Sequence, residues 1–187
     1  MTLALSEIFV VSVIGVAIPW RQFAVARYVD LLEENAFGNF RALIEAISRS
    51  TAMSVYLTFN NNAKASASGS QPDENYAREV MQLFTIGLYR LNADGTLALS
   101  SGAPVETYAP ADVSGLARVF TGWVFNATGL AVPVPPDVHL RNLTQRASNY
   151  ETGAKSFLGV TIPAGTSADD ALRIALDTVF NHANTAP

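Results

Sequence analysis

The chain has 187 residues, of which 49% are hydrophobic and only 15% are charged, so it is long and apolar enough to bury a sizeable core. Its net charge is −4, and its ten arginines and two lysines are scattered, which argues against a nucleic-acid-binding protein. It contains no cysteine, which excludes disulfide bonds, thiolate nucleophiles and cysteine-ligated metals.

The first twenty residues contain an uncharged apolar run, residues 8–19, which predicts a buried core helix that ends at Pro19. The run is too short for a transmembrane segment of about 20 residues, and it lacks the basic start and cleavage site of a signal peptide. Because complete proteins rarely begin inside a core helix, we expect residues 1–187 to be the central part of a single larger helical domain. An apolar face on a helix at residues 2–18 would then lack a partner and favour self-association.

Two further helices are predicted at residues 21–34 and 40–47. The buried face of the first is predicted from apolar residues at helical spacing: Val25, Tyr28, Val29 and Leu32. Residues 53–59 fit a helix or a strand equally well. Residues 60–71 contain no large apolar side chain, so we predict a mobile loop there.

The segment PDENYAREVMQLFTIGL, residues 72–88, predicts a capped amphipathic helix over residues 73–86. Ser70 and Asp73 have the spacing of a capping box, and Gly87 suits the position just after the helix. The apolar face is predicted from Tyr76, Ala77, Val80, Met81, Leu83, Phe84 and Leu88.

An Asp-Gly pair between apolar flanks predicts a hairpin over residues 91–99. A calcium-binding loop is the alternative for this stretch. Arg90 stands where the first acidic ligand would lie, and Ser101 where the closing glutamate would lie, so we set this alternative aside.

A second well-delimited helix is predicted over residues 110–121. Pro110 suits its first turn, Asp112 suits the third position, where it caps the helix, and Gly122 suits the position after its end. The three signals together predict both ends of this helix.

The last third of the chain begins with a Pro-rich stretch, residues 126–149, that predicts an irregular surface excursion. Residues 156–162 predict a short strand. Ser167 and Asp170 have the spacing of a capping box and predict a helix that continues to Phe180.

No motif of a serine hydrolase, a phosphate-binding loop, a dinucleotide-binding fold or a zinc protease occurs in the chain. The chain has two histidines, His139 and His182, and we predict structural roles for both. The sequence therefore predicts no metal site and indicates no cofactor.

A group of polar and aromatic side chains on the two capped helices forms the candidate site, which comprises Glu74, Asn75, Arg78, Glu79, Asp112, Arg118 and Trp123. Carboxylates beside arginines suit acid–base chemistry or the binding of an anionic group. We favour the alternative of a structural network of ion pairs and caps, in which Trp123 stacks on Arg118. A structural role predicts that Arg78 or Glu79 is buried and paired, whereas a functional role predicts that they line an open cleft.

Several segments closely resemble the bacterial domain-of-unknown-function 1800 family, in particular residues 72–88, 91–96 and 107–123. Residues 181–187, NHANTAP, are similar to an Asn-His-Pro-Asn motif of that family, with Ala183 in place of proline. The resemblance covers nearly the whole chain.

The resemblance implies a mainly α fold, an irregular helical domain with short hairpin or strand segments. It also implies export to the periplasm or beyond and a co-encoded protein of the domain-of-unknown-function 1501 family as a partner. It brings no established reaction and no catalytic residue. Two functions therefore remain open: a scaffold or binding partner of that exported protein, and an extracellular hydrolase-like enzyme that uses the acid–arginine cluster on an anionic ester or polymer.

Overall fold

The computed structural model describes residues 1–185 and shows a mainly α-helical protein with short strands, as predicted. Ala186 and Pro187, the end of the NHANTAP segment, lie outside the described residues. Among residues 1–185, no helix combines the length and the apolar character needed to cross a membrane. The α-helices are α1 (Thr2–Ile8), α2 (Arg21–Glu34), α3 (Phe40–Ser48), α4 (Thr51–Tyr56), α5 (Asn75–Glu79), α6 (Pro110–Ala117) and α7 (Ala168–Phe180).

The strands form three antiparallel pairs, β1 with β2, β3 with β4 and β5 with β6. The strands are β1 (Leu99–Ser100), β2 (Ala103–Pro104), β3 (Trp123–Val124), β4 (Thr144–Gln145), β5 (Lys155–Phe157) and β6 (Val160–Ile162). Residues 156–162, predicted as one strand, instead form the β5–β6 hairpin. The chain reverses at Leu158 and Gly159, whose φ angles of 48° and 75° are those of a tight hairpin turn.

The described chain divides into two compact units. The first unit consists of Met1–Asp73 and Thr121–Glu151, and the second consists of Glu74–Phe120 and the described residues from Thr152 onward. In the first unit, α2 packs against α1, α3, α4 and a 3-10 helix at Pro136–Leu140. In the second unit, α6 packs against α5 and β5, and α7 packs against β6.

The prediction of a buried helix over residues 8–19 is wrong. The helix α1 ends at Ile8, and none of its side chains is buried. In the irregular segment that follows, Phe9 and Val16 are buried, whereas Ile14 is 83% exposed. The β-branched residues of this run disfavour a helix, and the Ser12 hydroxyl accepts a hydrogen bond from the Ile14 amide at 3.2 Å, which stabilises a turn instead.

The predicted helices at residues 21–34 and 40–47 are confirmed as α2 and α3, and residues 53–59 are helical only as far as Tyr56. The buried face of α2 is rotated from the prediction, because Leu31 is buried while Val29 is 45% exposed. The hydroxyl of the buried Tyr28 donates a hydrogen bond to the Phe9 carbonyl at 2.8 Å. This bond links α2 to the irregular segment after α1.

Residues 60–71 contain no helix or strand, but their first half is held by backbone hydrogen bonds within the first unit. The Asn61 amide donates to the Trp123 carbonyl at 2.7 Å, and the Lys64 amide donates to the Asn149 carbonyl at 2.8 Å. Mobility of this loop remains a prediction. The Pro-rich stretch at residues 126–149 is mostly irregular and also contains β4 and the 3-10 helix.

The helix predicted over residues 73–86 begins two residues later than expected, at Asn75. The Ser70–Asp73 capping box does not form, because Asp73 is engaged elsewhere in the first unit. Its amide donates to Asn62 Oδ1 at 2.9 Å, and its carboxylate accepts a hydrogen bond from the Thr58 hydroxyl at 2.9 Å. Local spacing alone could not reveal these competing partners.

The second half of this helix is a π-helical turn, Val80–Phe84, rather than a continuation of the α-helix. The wider turn buries Met81 and Phe84 and leaves Leu83, which was predicted to face the core, 62% exposed. Gly87 follows with a φ of +71°, and its amide donates to the Met81 carbonyl at 2.9 Å. The predicted stop at Gly87 is therefore correct.

The helix α6 confirms the predicted ends at Pro110 and Gly122. The Asp112 carboxylate caps its start by accepting a hydrogen bond from the Ala109 amide at 2.8 Å. A 3-10 turn at Arg118–Phe120 ends the helical segment, and Gly122 follows with a φ of +78°.

The hairpin predicted over residues 91–99 is present in a shorter form, with Leu91 bridged to Leu97 and a turn at Asp94 and Gly95. The Asp94 carboxylate accepts hydrogen bonds from the amide and the hydroxyl of Thr96, at 3.0 and 2.7 Å. These bonds stabilise the turn.

The helix α7 starts as predicted at the cap residue Ser167, whose hydroxyl oxygen accepts a hydrogen bond from the Asp170 amide at 3.1 Å. The Asp170 carboxylate completes the arrangement by accepting a hydrogen bond from the Ser167 hydroxyl at 2.8 Å. The helix ends at Phe180, which confirms the predicted limit.

Candidate functional site

The candidate site lies in the second unit, where α5 packs against α6. Glu74, at the start of α5, accepts hydrogen bonds from the Ser114 hydroxyl on α6 and from Arg78 Nη2, the latter at 3.1 Å. Asn75 is exposed in the first turn of the same helix. Glu74 therefore links the two helices and orients Arg78.

Arg78 lines an open cleft of about 170 Å³, and its side chain is 46% exposed. The other lining residues are Leu88, Tyr89, Glu106, Tyr108, Pro110 and Val113. We call this space the Arg78 cleft. The side chain of Arg78 is thus neither deeply buried nor restricted to the interhelical network that the sequence favoured.

Tyr108 is the most unusual residue of the Arg78 cleft. Its hydroxyl oxygen is buried and has no hydrogen-bond partner within residues 1–185. Burial raises the pKa of Tyr108, the charges of Glu79 and Glu106 raise this pKa further, and the charge of Arg78 opposes the rise. The phenol is therefore protonated at neutral pH, and its oxygen can accept a hydrogen bond from a group in the cleft as well as donate one.

Glu79 presents a second unsatisfied atom near the cleft. Its Oε2 atom is buried and lacks a hydrogen-bond partner among the described residues, and its charge acts on Tyr108. A buried polar atom without a partner costs about 1–3 kcal/mol, so native proteins rarely keep one without a reason. A donor from a bound group would satisfy it.

The remaining predicted site residues, Asp112, Arg118 and Trp123, do not line the Arg78 cleft. The Asp112 carboxylate caps α6 and also accepts a hydrogen bond from the Leu158 amide at 2.6 Å, so both of its oxygens are in structural contacts. Arg118 starts the 3-10 turn and is partly buried. Trp123 belongs to the first unit, where it is buried and Arg49 lies 5.2 Å from its ring centre. Stacking of Trp123 on Arg118 remains a prediction.

The charges around the Arg78 cleft are mostly negative. Arg78 and Glu106 are the charged residues of the lining, Glu74 pairs with Arg78, and the negative charge of Glu79 also acts on Tyr108. Such a balance disfavours an anionic group and favours a cationic one.

Neither histidine lines the Arg78 cleft. His182 lies just after α7, and its Nδ1 accepts a hydrogen bond from the Asn184 amide at 3.2 Å. Burial, together with the charge of Arg90, lowers the pKa of His182, so the ring is neutral at neutral pH. Within the described part of the chain, no three His, Cys, Asp or Glu residues form a group that could hold a metal ion.

Two residues that the sequence analysis did not single out contribute to the second unit. Glu106 lines the Arg78 cleft, and its only local signal is its place beside Tyr108 in a polar and aromatic stretch. Lys155 is fully buried, and its Nζ donates a hydrogen bond to the Gly153 carbonyl at 3.1 Å. The alternation of β5, with Lys155 and Phe157 buried and Ser156 exposed, is a local pattern that could have placed Lys155 inside.

We expect the substitution Arg78→Ala to change the free energy of unfolding by no more than about 1 kcal/mol, because exposed ion pairs contribute little. Urea unfolding of the two proteins measures the difference. Arg173→Ala is the matched control, since Arg173 is 58% exposed and forms similar pairs on α7. A loss above about 3 kcal/mol for Arg78→Ala alone would instead show that Arg78 belongs to a buried network.

Comparison with known proteins supports the resemblance in the sequence. A family model described as "Protein of unknown function (DUF1800)" matches residues 1–187, the whole chain. Neither the comparison with curated proteins nor the comparison with solved structures gave a match. The match over the full length shows that the chain belongs to the DUF1800 family of proteins of unknown function.

Proposed function

We propose that the chain is a non-enzymatic binding protein whose Arg78 cleft holds a basic side chain of a partner protein. The observation that carries this proposal is the buried, unsatisfied hydroxyl of the lining residue Tyr108, together with the buried, unsatisfied Oε2 of Glu79, whose charge acts on Tyr108. A guanidinium or ammonium group brings several N–H donors, which both oxygens can accept. The excess of carboxylates over cations around the cleft attracts the same group.

The cleft supports this proposal better than it supports hydrolysis of an anionic ester. Glu79 and Glu106 would repel an anionic substrate, and Arg78 is partly neutralised by Glu74. Attack on an ester also needs an activated nucleophile, and the lining residues include neither a histidine base nor a metal ligand set.

The partner that we propose is the exported protein of the domain-of-unknown-function 1501 family that the family resemblance places beside this gene. In this proposal both proteins act outside the cytoplasm of a bacterium. Affinity capture with the full-length protein from its native host tests this part. Recovery of that partner by the unaltered protein, but not by a Glu79→Gln and Glu106→Gln double variant, is the expected result.

Isothermal titration with capped tripeptides tests the cleft directly. We expect Gly-Arg-Gly and Gly-Lys-Gly to bind and Gly-Glu-Gly not to bind. Glu79→Gln and Glu106→Gln should each weaken the binding of the arginine peptide about tenfold, which corresponds to about 1.4 kcal/mol. Added salt should also weaken binding, because the attraction is electrostatic.

Glu33→Gln is the matched control for these two substitutions, since Glu33 is exposed on α2 in the first unit and is not one of the carboxylates whose charge acts on Tyr108. It removes the same charge and should leave the affinity unchanged. Preferential binding of the glutamate peptide, or equal affinity in all three variants, would show that the cleft does not bind a basic group.

A further inference from the structure

The first unit contains a larger cavity, of about 520 Å³, which falls in the range of about 300–1,000 Å³ typical of small-molecule sites. Its walls are mostly apolar and include Ile18, Val124, Phe125 and Val138. Asn60, His139 and Arg146 contribute polar atoms. An apolar cavity with a few polar groups is the usual form of a ligand-binding site.

Two acceptor atoms on residues that line this cavity have no partner. His139 is 6% exposed, and its side chain donates a hydrogen bond to the Pro19 carbonyl, while its Nδ1 has no partner within residues 1–185. Burial lowers the pKa of His139, so the ring is neutral and Nδ1 carries a lone pair. Asn60 Oδ1 is also buried and unpartnered in the described part of the chain. Both atoms require a donor.

The Trp20 ring offers an apolar surface on the same cavity. Trp20 is 53% exposed, packs edge-on against Phe23 and has a φ of 60°, a left-handed conformation that is unusual for a bulky residue. Asn61, another lining residue, has a φ of 62°. Such conformations often occur where a side chain is held in position for binding.

Arg146 adds donors to the cavity. Its Nη1 donates a hydrogen bond to Asn61 Oδ1 at 2.9 Å, and a guanidinium carries five N–H donors in all. The positive charge disfavours a cationic ligand, and the two unsatisfied acceptors disfavour an anionic one. A neutral ligand that has hydroxyl donors, oxygen acceptors and an apolar face satisfies all of these groups.

We propose that this cavity binds a neutral sugar ring. Hydroxyl groups of the sugar would donate to His139 Nδ1 and Asn60 Oδ1, Arg146 would donate to a ring or hydroxyl oxygen, and the C–H face would pack on Trp20. Aromatic rings suit such a face, because they offer a large apolar surface at little entropic cost. This site is independent of the basic group proposed for the Arg78 cleft.

Saturation-transfer NMR with glucose, galactose and N-acetylglucosamine as probes tests the proposal on the intact chain. At least one sugar should bind, with the strongest transfer to its ring C–H protons, and acetate and ethylamine should not bind. Trp20→Gly should reduce sugar affinity at least tenfold while retaining the fold, because glycine adopts a φ of 60° without strain. Asn60→Ala should weaken binding about fivefold.

Phe37→Ala is the matched control, since Phe37 is a 91% exposed aromatic residue of the first unit that does not line the cavity. It should bind the sugar as the unaltered protein does. Sugar affinity that survives both Trp20→Gly and Asn60→Ala would show that the sugar binds elsewhere. Binding of acetate or ethylamine in place of the sugars, or of none of the probes, would overturn the proposed ligand class.

Discussion

Replacing Gly115 by alanine should lower the free energy of unfolding by about 3 kcal/mol, near the upper end of typical overpacking effects. Gly115 lies in α6, where the helix approaches the backbone of β5. A Cβ atom at this position would overlap the Ser156 carbonyl oxygen and lie 2.9 Å from its carbonyl carbon. Because the obstacle is backbone, a side-chain rotation cannot relieve the overlap, and the helix or the hairpin must move.

The sign of this effect is informative, because helix propensity alone favours alanine over glycine by about 1 kcal/mol inside a helix. Denaturant unfolding monitored by circular dichroism measures the change. Gly38→Ala is the matched control, since the nearest atom to its Cβ would be the Asn35 carbonyl oxygen at an ordinary 3.5 Å. We expect Gly38→Ala to stay within about 0.5 kcal/mol of the unaltered protein, as ordinary surface substitutions do. A Gly115→Ala protein as stable as the control would show that α6 and β5 are not in close contact.

Replacing Asn184 by alanine should cost about 2–4 kcal/mol, because it leaves several partly buried backbone groups without partners. The side-chain nitrogen of Asn184, Nδ2, donates to the Ile86 carbonyl at 2.6 Å and to the Tyr89 carbonyl at 3.0 Å. Its oxygen accepts a hydrogen bond from the Leu91 amide at 2.7 Å. One side chain just after α7 therefore holds the segment that follows the π-helical turn.

Hydrogen exchange gives a second, local measurement of the same effect. The Leu91 amide should exchange faster in Asn184→Ala, because it loses its acceptor. Asn184→Asp retains an acceptor for Leu91 but loses both donors, so it should protect this amide and still be destabilised.

Asn181→Ala is the matched control for Asn184→Ala, since Asn181 is exposed and its side chain donates to the Asp177 carbonyl at 2.9 Å. It should cost less than about 1 kcal/mol, the usual contribution of one hydrogen bond. Equal costs at Asn181 and Asn184 would show that the three long-range hydrogen bonds do not stabilise the second unit.

The four residues Asn181, His182, Ala183 and Asn184 correspond to the Asn-His-Pro-Asn segment that the resemblance identified. In the structure, Asn184 anchors the chain segment from Ile86 to Leu91, and the His182 ring accepts a hydrogen bond from the Asn184 amide. This motif therefore has a structural role, whereas Ala186 and Pro187, the end of the longer NHANTAP segment, lie outside the described residues.

Local sequence rules predicted the ends of several helices because the interactions involved span only a few residues. Asp112 caps α6 through the amide of Ala109, and Ser167 caps α7 through the amide of Asp170. Gly87 adopts a positive φ of +71° just after the π-helical turn. Each signal and its partner lie within one or two helical turns, so they can be read from the residues alone.

The mainly α fold class was predictable for a related reason. The apolar residues of α3 and α7 recur at helical spacing, which indicates a helix whatever the rest of the chain does. The candidate site was predictable in part, since Glu74 and Arg78, at the start and end of α5, have the four-residue spacing that brings two side chains together on a helix. The residues that these side chains contact in other elements were not predictable from the sequence.

Only the tertiary structure decided which of these side chains are available to a ligand. The Asp112 carboxylate accepts a hydrogen bond from the Leu158 amide, 46 residues away. The Glu74 carboxylate accepts one from the Ser114 hydroxyl, 40 residues away. Tyr108 and Glu106, by contrast, join Arg78 around the cleft, and no local pattern connects them with α5. Tertiary contacts also decide the role of Asp73, because its hydrogen bonds with Asn62 and Thr58 prevent the predicted capping box.

Helix caps and apolar periodicity depend on neighbours along the chain, so the sequence by itself determined the helical class and most helix ends of this protein. The Arg78 cleft, the larger cavity of the first unit and the anchoring role of Asn184 depend on residues that are up to 98 positions apart. Whether a polar atom is satisfied or left unpaired depends on which distant group lies within hydrogen-bond distance, and that is settled only when the chain packs.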